Sequence, residues 1–223
     1  MTETPTASTP DLALALSMAD IADGLSTSRF RADDLVVDTK PDLTPVSEAD
    51  RAVEQALRSE LARVRPDDAV LGEEYGSEGT STRRWILDPI DGTKNYVRGV
   101  PVWSTLIGLM EDGEVTVGVV SAPALGLRWW AARDHGAWAT DPLSHAPRRL
   151  RVSNVSQLSD ASFSFSDPIG WAERGSASGL ERLLHDTWRQ RAYGDFWSHM
   201  MVAEGVVDIA AEPQLETYDM AAL

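Results

Sequence analysis

The chain has 223 residues, 43% of them hydrophobic and 25% charged, with no cysteine and a net charge of −15. That length allows one large or two modest domains around a sizeable core. The charge disfavours nucleic acid and anionic membranes as partners. The missing thiols exclude disulfides, thiolate metal sites and a cysteine nucleophile, and suit a reducing, cytoplasmic setting.

No apolar run is long enough to cross a bilayer. Residues 1–10 are polar and acidic, lack the basic start of a secretory signal, and are expected to form a disordered tail. Residues 11–30 predict a helix that is apolar along its length, with Leu12, Leu16, Ala19, Ile21 and Leu25. "DTKPDLTPVSEAD" breaks structure at Pro41 and Pro45. Ser47 is then an N-cap with Asp50 at N3, a variant of the capping box. The helix it opens runs to about Val64, with Val53, Leu57 and Leu61 at helical spacing.

"AVLGEEYG" predicts a short strand running into two glutamates, and "RWILD" another strand. "WSTLIGLM" and "EVTVGVVS" form a hairpin around "EDG". "LRWWAA" and "GAWA" form a second, with Trp129, Trp130 and Trp138 as core or interface residues. "DPLSHAPRR" is the candidate boundary, separating residues 11–142 from 143–223. Beyond it come a strand at "ASFSFS", a helix over 177–190, a strand at "RAYG", a helix from Phe196 to Glu204 and a strand "VVDIAAE". The pattern is an α+β half followed by an α/β half.

The stretch "RWILDPIDGTKNY" ends a hydrophobic strand in two carboxylates, Asp88 and Asp91. Adjacent carboxylates repel unless a cation or a shared proton compensates them. Hard oxygen ligands of this kind suit Mg²⁺ or Mn²⁺. Gly92 and Thr93 can open a helix whose free N–H groups meet an anion. The competing reading is local: Asp88 caps a turn and Asp91 is an N-cap. No G-x-x-x-x-G-K-[ST] occurs, and His135, His145, His185 and His199 show no metal-ligand spacing. The histidines are read as surface or satisfied residues. The two lysines, Lys40 and Lys94, both lie near acidic motifs.

"GEE" at 72–74, "WILDPIDGTKNYVRG" and "YDMAA" at 218–222, in this order, resemble the inositol monophosphatase superfamily of Mg²⁺-dependent, Li⁺-sensitive phosphatases. "DTKPDLTPVSEADRAVE", "GVVSAPAL" and "AYGDFWSHMMVAEGVVDIAAEP" look most like the bacterial histidinol-phosphate phosphatases within it. The resemblance implies a layered α-β-α-β-α sandwich, two or three Mg²⁺ per site, inhibition by Li⁺, and a homodimer. It implies Glu73, Asp88, the Ile90 carbonyl, Asp91 and Asp219 as metal ligands, with Asp50 near a third ion. Asp219 stands in Y-D where most relatives have W-D. Glu74 carries no implied role and is expected to be a solvated turn residue.

The implied reaction is hydrolysis of a phosphate monoester by water attacking phosphorus in line. Thr93 would work with the metal-bound Glu73 on that water, and the N–H groups of Gly92 and Thr93 would hold phosphate oxygens. Gly194, Asp195 and Glu212 match positions on the alcohol side of the pocket. Carboxylates there would suit the amine and imidazole of histidinol phosphate; for Asp195, a helix N-cap is the competing role. Lys40 could steer the phosphate, but a solvated loop lysine is the expectation. Relatives continue past the position of Leu223 through an E-A-G-G-like segment. The chain is therefore expected to be a truncated form with Asp219 loosely held. An inositol phosphatase, another small phosphomonoesterase or an inactive homologue are the alternatives.

Overall fold

The structure, a computed structural model, describes residues 9–41, 44–143 and 146–223. The expected tail over 1–10 and His145 therefore fall largely outside the described residues; Thr9 and Pro10 already cap and open the first helix. Two compact units form, one of residues up to Arg149 together with Thr217–Leu223, the other of Leu150–Glu216. The sequence puts the boundary at 142/143 and keeps the rest together. The observed crossing is later because Arg148 and Arg149 still pair with Ala139 and Trp138 of the first unit. The last seven residues also return to that unit.

In the first unit, helices α1 (Pro10–Arg29) and α2 (Glu48–Val64) flank a short hairpin of β1 (Val37–Thr39) and β2 (Pro45–Ser47). The sequence reads that hairpin as broken structure. Pro45 is tolerated because it opens its strand in a two-stranded sheet, where a missing N–H costs little. There follow β3 (Ala69–Gly72), β4 (Gly76–Glu78), β5 (Arg83–Asp91), the one-turn helix α3 (Thr93–Val97), β6 (Ser104–Glu111), β7 (Glu114–Ala122), β8 (Leu127–Ala132), β9 (Gly136–Thr140) and β10 (Arg148–Arg149). They build one sheet in the order β10-β9-β8-β7-β6-β5-β3-β4. Only β3 and β5 pair in parallel in it. Asp112 and Gly113 close the β6–β7 hairpin with φ of 51° and 87°, the left-handed pair that a two-residue turn demands.

One face of this sheet packs on α1 and α2. Leu12, Ala15, Met18 and Ala19 of α1 and Val53, Leu57 and Leu61 of α2 bury Trp85, Leu87, Ile107, Leu109, Val117 and Val119. The period of two along each strand sends Ile86, Asp88, Leu106 and Gly108 to the opposite face. The helix α7 (Thr217–Met220) belongs to the same unit, and its following residues meet that opposite face. Trp129 and Trp138 are buried within the sheet, and Trp130 packs against the α1 side.

The second unit carries β11 (Ser162–Phe165), α4 (Pro168–Glu173), α5 (Ala177–Asp186), β12 (Arg189–Arg191), α6 (Asp195–Ala203) and β13 (Ile209–Ala211). Its sheet is wholly parallel, in the order β12-β11-β13. The expected helix over 177–190 stops at Asp186, because Arg189 already pairs with Ser162 in the sheet. Among the described residues no helix is long and apolar enough to cross a membrane.

Candidate active site

Asp88 and Asp91 lie three apart in one strand, so simple alternation would send them to opposite faces. The strand register resolves this. Asp88 pairs with Leu106 but Asp91 with Ser104, three residues on β5 against two on β6. The one extra residue is a β-bulge at Pro89–Ile90, and it returns both carboxylates to one face. Proline suits a bulge because it has no N–H to give to the ladder, and its carbonyl accepts from Thr105 Oγ1 at 2.8 Å. The local readings of these acids fail here. Asp88 sits inside β5, 2% exposed, and the cap of α3 is Gly92 at φ 86°, not Asp91.

Asp219, from α7, completes the group: carboxylate oxygens of Asp88, Asp91 and Asp219 lie within 4.8 Å of one another. The expected looseness of Asp219 is not what the packing shows. Gly108 and Gly118, paired across β6 and β7, form a seat for the residues that follow it. A Cβ on Gly108 would come 3.1 Å from Ala221 Cβ, and one on Gly118 2.7 Å from the Ala222 carbonyl oxygen. A glycine at each position is what lets the backbone approach so closely.

Glu73 follows β3, whose last residue pairs in parallel with Leu87, so Glu73 and Asp88 come at the same end of adjacent strands. Glu73 N–H donates to the Leu87 carbonyl at 3.2 Å. The turn itself is shaped by Glu54, a fully buried residue of α2 that sequence reasoning passed over. Its carboxylate accepts from the N–H groups of Glu74 and Tyr75 at 2.7 and 3.2 Å and from Arg58 Nε at 2.7 Å. It fills the space where a Cβ on Gly72 would stand, 2.0 Å from Glu54 Oε1, which explains the glycine of G-E-E. The available signal was a glutamate at i+4 from Asp50 on the apolar face of an amphipathic helix.

Lys40 and Glu74 depart from expectation. Neither is solvated: the Lys40 side chain is 19% exposed and that of Glu74 6%. Lys40 Nζ donates to Glu73 Oε1 at 2.7 Å and to Glu74 Oε1 at 2.6 Å. Thr93 departs as well. Its hydroxyl lies 3.1 Å from Asp50 Oδ1 and 3.0 Å from the Ile90 carbonyl, so its acidic partner is Asp50 rather than Glu73. Asp50 is buried and also holds the capping box, accepting from Ser47 N–H at 2.8 Å and from its hydroxyl at 2.5 Å. Tyr96 of α3 anchors this corner by a tilted ring contact with Phe30, an edge-on contact with Trp103, and by donating to the Ser26 carbonyl at 2.7 Å. At five residues, α3 has little macrodipole, so any anion held there would depend on individual N–H groups.

Burial pushes the Asp88 carboxyl well above its ordinary value, and the charges of Glu73, Asp91, Asp219 and Asp50 push it further. Burial also raises Glu73, against the pull of Lys40, and raises Asp50, against its hydrogen bonds from Ser47 and Thr93. Asp88 Oδ1 is buried and has no hydrogen-bond partner among the described residues. An orphaned carboxylate oxygen among like charges is costly unless a cation meets it. The donors are all oxygen, so the residues fit a hard divalent ion.

The remaining candidates belong to the second unit. Glu212 follows β13; its Oε2 accepts from Ser166 Oγ at 2.9 Å and its Oε1 lies 3.1 Å from His199 Nε2. Gly194 caps α6 at φ 87°, so Asp195 is not the cap but the first helical residue, itself at φ 45°.

A mixed sheet with helices packed on it gathers these carboxylates into an all-oxygen acidic centre on an α/β scaffold. Residues 9–223 match the model of the inositol monophosphatase family, and the chain belongs to that family. It is by that membership a phosphoric monoester hydrolase. It is 60% identical to the histidinol-phosphatase of Streptomyces coelicolor over 95% of this chain and 81% of that one. It is also 60% identical to that of Mycobacterium tuberculosis, over 96% and 82%. Among solved structures it resembles the extragenic suppressor protein SuhB of Bartonella henselae, with a TM-score of 0.85 at 28% identity, covering 96% of this chain and 82% of that one. The fold is thus the inositol monophosphatase type that the motifs imply.

Proposed function

We propose that this chain is a Mg²⁺-dependent histidinol-phosphate phosphatase, cytoplasmic and homodimeric, with Li⁺ as an inhibitor. The observation that carries the metal-dependent reading is the gathering of Asp88, Asp91 and Asp219, together with a buried Asp88 oxygen that has no hydrogen-bond partner among the described residues. The substrate reading rests on the two relatives at 60% identity, both named histidinol-phosphatases.

Asp88, Asp91 and Asp219 would hold one ion, and Glu73, Asp88 and the Ile90 carbonyl another; Asp50 lies near them. Bound there, divalent ions supply positive charge for the phosphoryl group and the leaving oxygen, and acidify water. Thr93 orients the attacking water through its hydroxyl. As that water gives a proton to Thr93 Oγ1, Thr93 can give its own to Asp50, whose burial favours the protonated form. N–H groups at Gly92 and Thr93 are donors for phosphate oxygens. Gly194, Asp195 and Glu212 are assigned to the alcohol portion, where carboxylates favour a cationic amine or imidazole.

The test is phosphate release from histidinol phosphate and from inositol 1-phosphate, with and without Mg²⁺ and with added Li⁺. Faster turnover of the inositol ester would replace the substrate reading with the second one, which inositol monophosphatases at about 30–35% identity support. No release from either would favour an inactive homologue.

A further inference from the structure

Both oxygens of Glu212 are held from within the second unit. Ser166 Oγ, just past β11, donates to Oε2 at 2.9 Å, and His199 Nε2, on α6, stands 3.1 Å from Oε1. A carboxylate only accepts, so the Nε2 that faces it carries the hydrogen. Neither side chain is sealed off: His199 is 14% exposed and Glu212 12%. A carboxylate offers about four acceptor positions, so about two remain for a donor arriving from solvent. A pair that served packing alone would be as stable with two apolar side chains in its place.

The two holds come from different parts of the unit. Trp171 Nε1 of α4 donates to the Ser166 carbonyl at 3.1 Å. A Cβ on Gly170 of the same helix would stand 2.9 Å from Pro213 Cγ, in the residue after Glu212. α4 thus fixes the backbone beside each end of the Ser166–Glu212 bond. His199 comes instead from α6, the helix that Gly194 caps and Asp195 opens. Asp195 and His199 are four apart, one turn along the same side of that helix. β13 has three residues and lies at the edge of its sheet, so it does little to aim the side chain that follows it. The His199 bond ties that side chain to the helix on which Asp195 begins.

We propose that His199 is a positioning residue for leaving-group selectivity: it fixes the Glu212 carboxylate relative to α6, ready for an alcohol that carries a cationic nitrogen. This rests on the substrate reading above, which assigns Glu212 to the alcohol portion. A carboxylate already held loses little rotamer freedom when the cation arrives. An alcohol bearing only hydroxyls gains less, because it has no charge to answer. His199 acts through Glu212 and not on the reacting atoms, so its loss belongs in KM and not in kcat.

Two substitutions separate this role from packing. His199→Phe keeps a ring and removes the donor; His199→Gln restores an N–H. Steady-state kinetics on histidinol phosphate and inositol 1-phosphate are joined to calorimetry of L-histidinol, with folding checked by circular dichroism. His199→Phe should raise KM for histidinol phosphate, and weaken L-histidinol, by about tenfold, as for loss of a hydrogen bond to a charged group. Its kcat, and KM for inositol 1-phosphate, should move by less than about twofold. His199→Gln should recover most of the loss. In a Glu212→Gln background His199→Phe should change selectivity no further. Equal rises in KM for both esters, a fall in kcat alone, or no recovery in His199→Gln would show a packing role and overturn the inference. So would histidinol phosphate turnover indifferent to His199, which would leave the substrate reading intact. A wild type that prefers inositol 1-phosphate would overturn both.

Discussion

Asp88 within β5 of the first unit and Glu212 just after β13 of the second are both carboxylates drawn in from solvent, yet their surroundings are opposite. Glu212 has a partner for each oxygen, the Ser166 hydroxyl at 2.9 Å and His199 Nε2 at 3.1 Å. Asp88 is buried with one oxygen unpartnered among the described residues, and the charges that raise its carboxyl are those of Glu73, Asp91, Asp219 and Asp50. A carboxylate satisfied by its own chain is held in one orientation and can present a fixed charge. One left unsatisfied among like charges destabilises the fold until something positive arrives. The same functional group thus serves as a shaped surface in one place and as a demand for a cation in the other.

The sharpest way to break this contrast is Asp88→Asn. If Asp88 draws in the cation, phosphate release should fall by about a thousandfold, comparable to loss of a main transition-state charge partner. At neutral pH without added metal the variant should also melt higher than wild type, because the neutral amide mimics the form that burial already favours. A variant both inactive and less stable would mean that Asp88 serves the fold alone. Next is Gly118→Ala. The new Cβ would stand 2.7 Å from the Ala222 carbonyl oxygen and push away the segment that carries Asp219. We expect activity to drop by about tenfold to a hundredfold, as for loss of a group that orients a ligand. The far-UV spectrum should be unchanged; unaltered activity would show that Asp219 does not depend on this seat.

Much of this was legible in the residues. Alternation and turn chemistry predicted the β6–β7 and β8–β9 hairpins, and the Ser47–Asp50 capping box formed as its spacing required. The gathered acids Asp88, Asp91 and Asp219 stand out in the sequence because they sit in short, ordered motifs. What the sequence hid were devices made by distant chain segments. The bulge that brings Asp88 and Asp91 to one face appears only when β5 is set in register against β6. Gly72 cannot be understood without Glu54 eighteen positions earlier, nor Gly118 without Ala222. Lys40 looked like a loop lysine because its two partners come thirty-three and thirty-four residues later. Short-range periodicity carries no information on such meetings.

A smaller effect should appear in thermal melts across pH. The Asp88 carboxyl is raised by burial and by its acidic neighbours, so the folded chain binds that proton more tightly than the unfolded one. Its contribution to stability is then complete below the ordinary value of 3.8 and is lost as pH rises through the raised folded-state value. Glu73 shifts in the same direction. A divalent ion replaces the proton, so across a range of pH that rises through that raised value the gain in melting temperature on adding Mg²⁺ should grow, by about 2–4 °C for each kcal/mol relieved. The dependence should shrink in Asp88→Asn, leaving the part that Glu73 contributes. A Mg²⁺ gain constant across that range would mean that the ion is not taking the place of these protons.

The smallest effect tests the satisfied carboxylate. Ser166→Ala strips one hydrogen bond from Glu212 and leaves His199 in place. Loss of such a bond should lower stability by about 1 kcal/mol. If Glu212 presents its charge to the substrate, KM for histidinol phosphate should rise by about threefold to tenfold with kcat nearly constant, the mark of an interaction equal in ground and transition states. KM for inositol 1-phosphate should move less, since no cation on that substrate answers the carboxylate. Equal shifts for the two substrates would show that Glu212 reads neither leaving group and that its bonds to Ser166 and His199 serve only to hold β13 and α6 together.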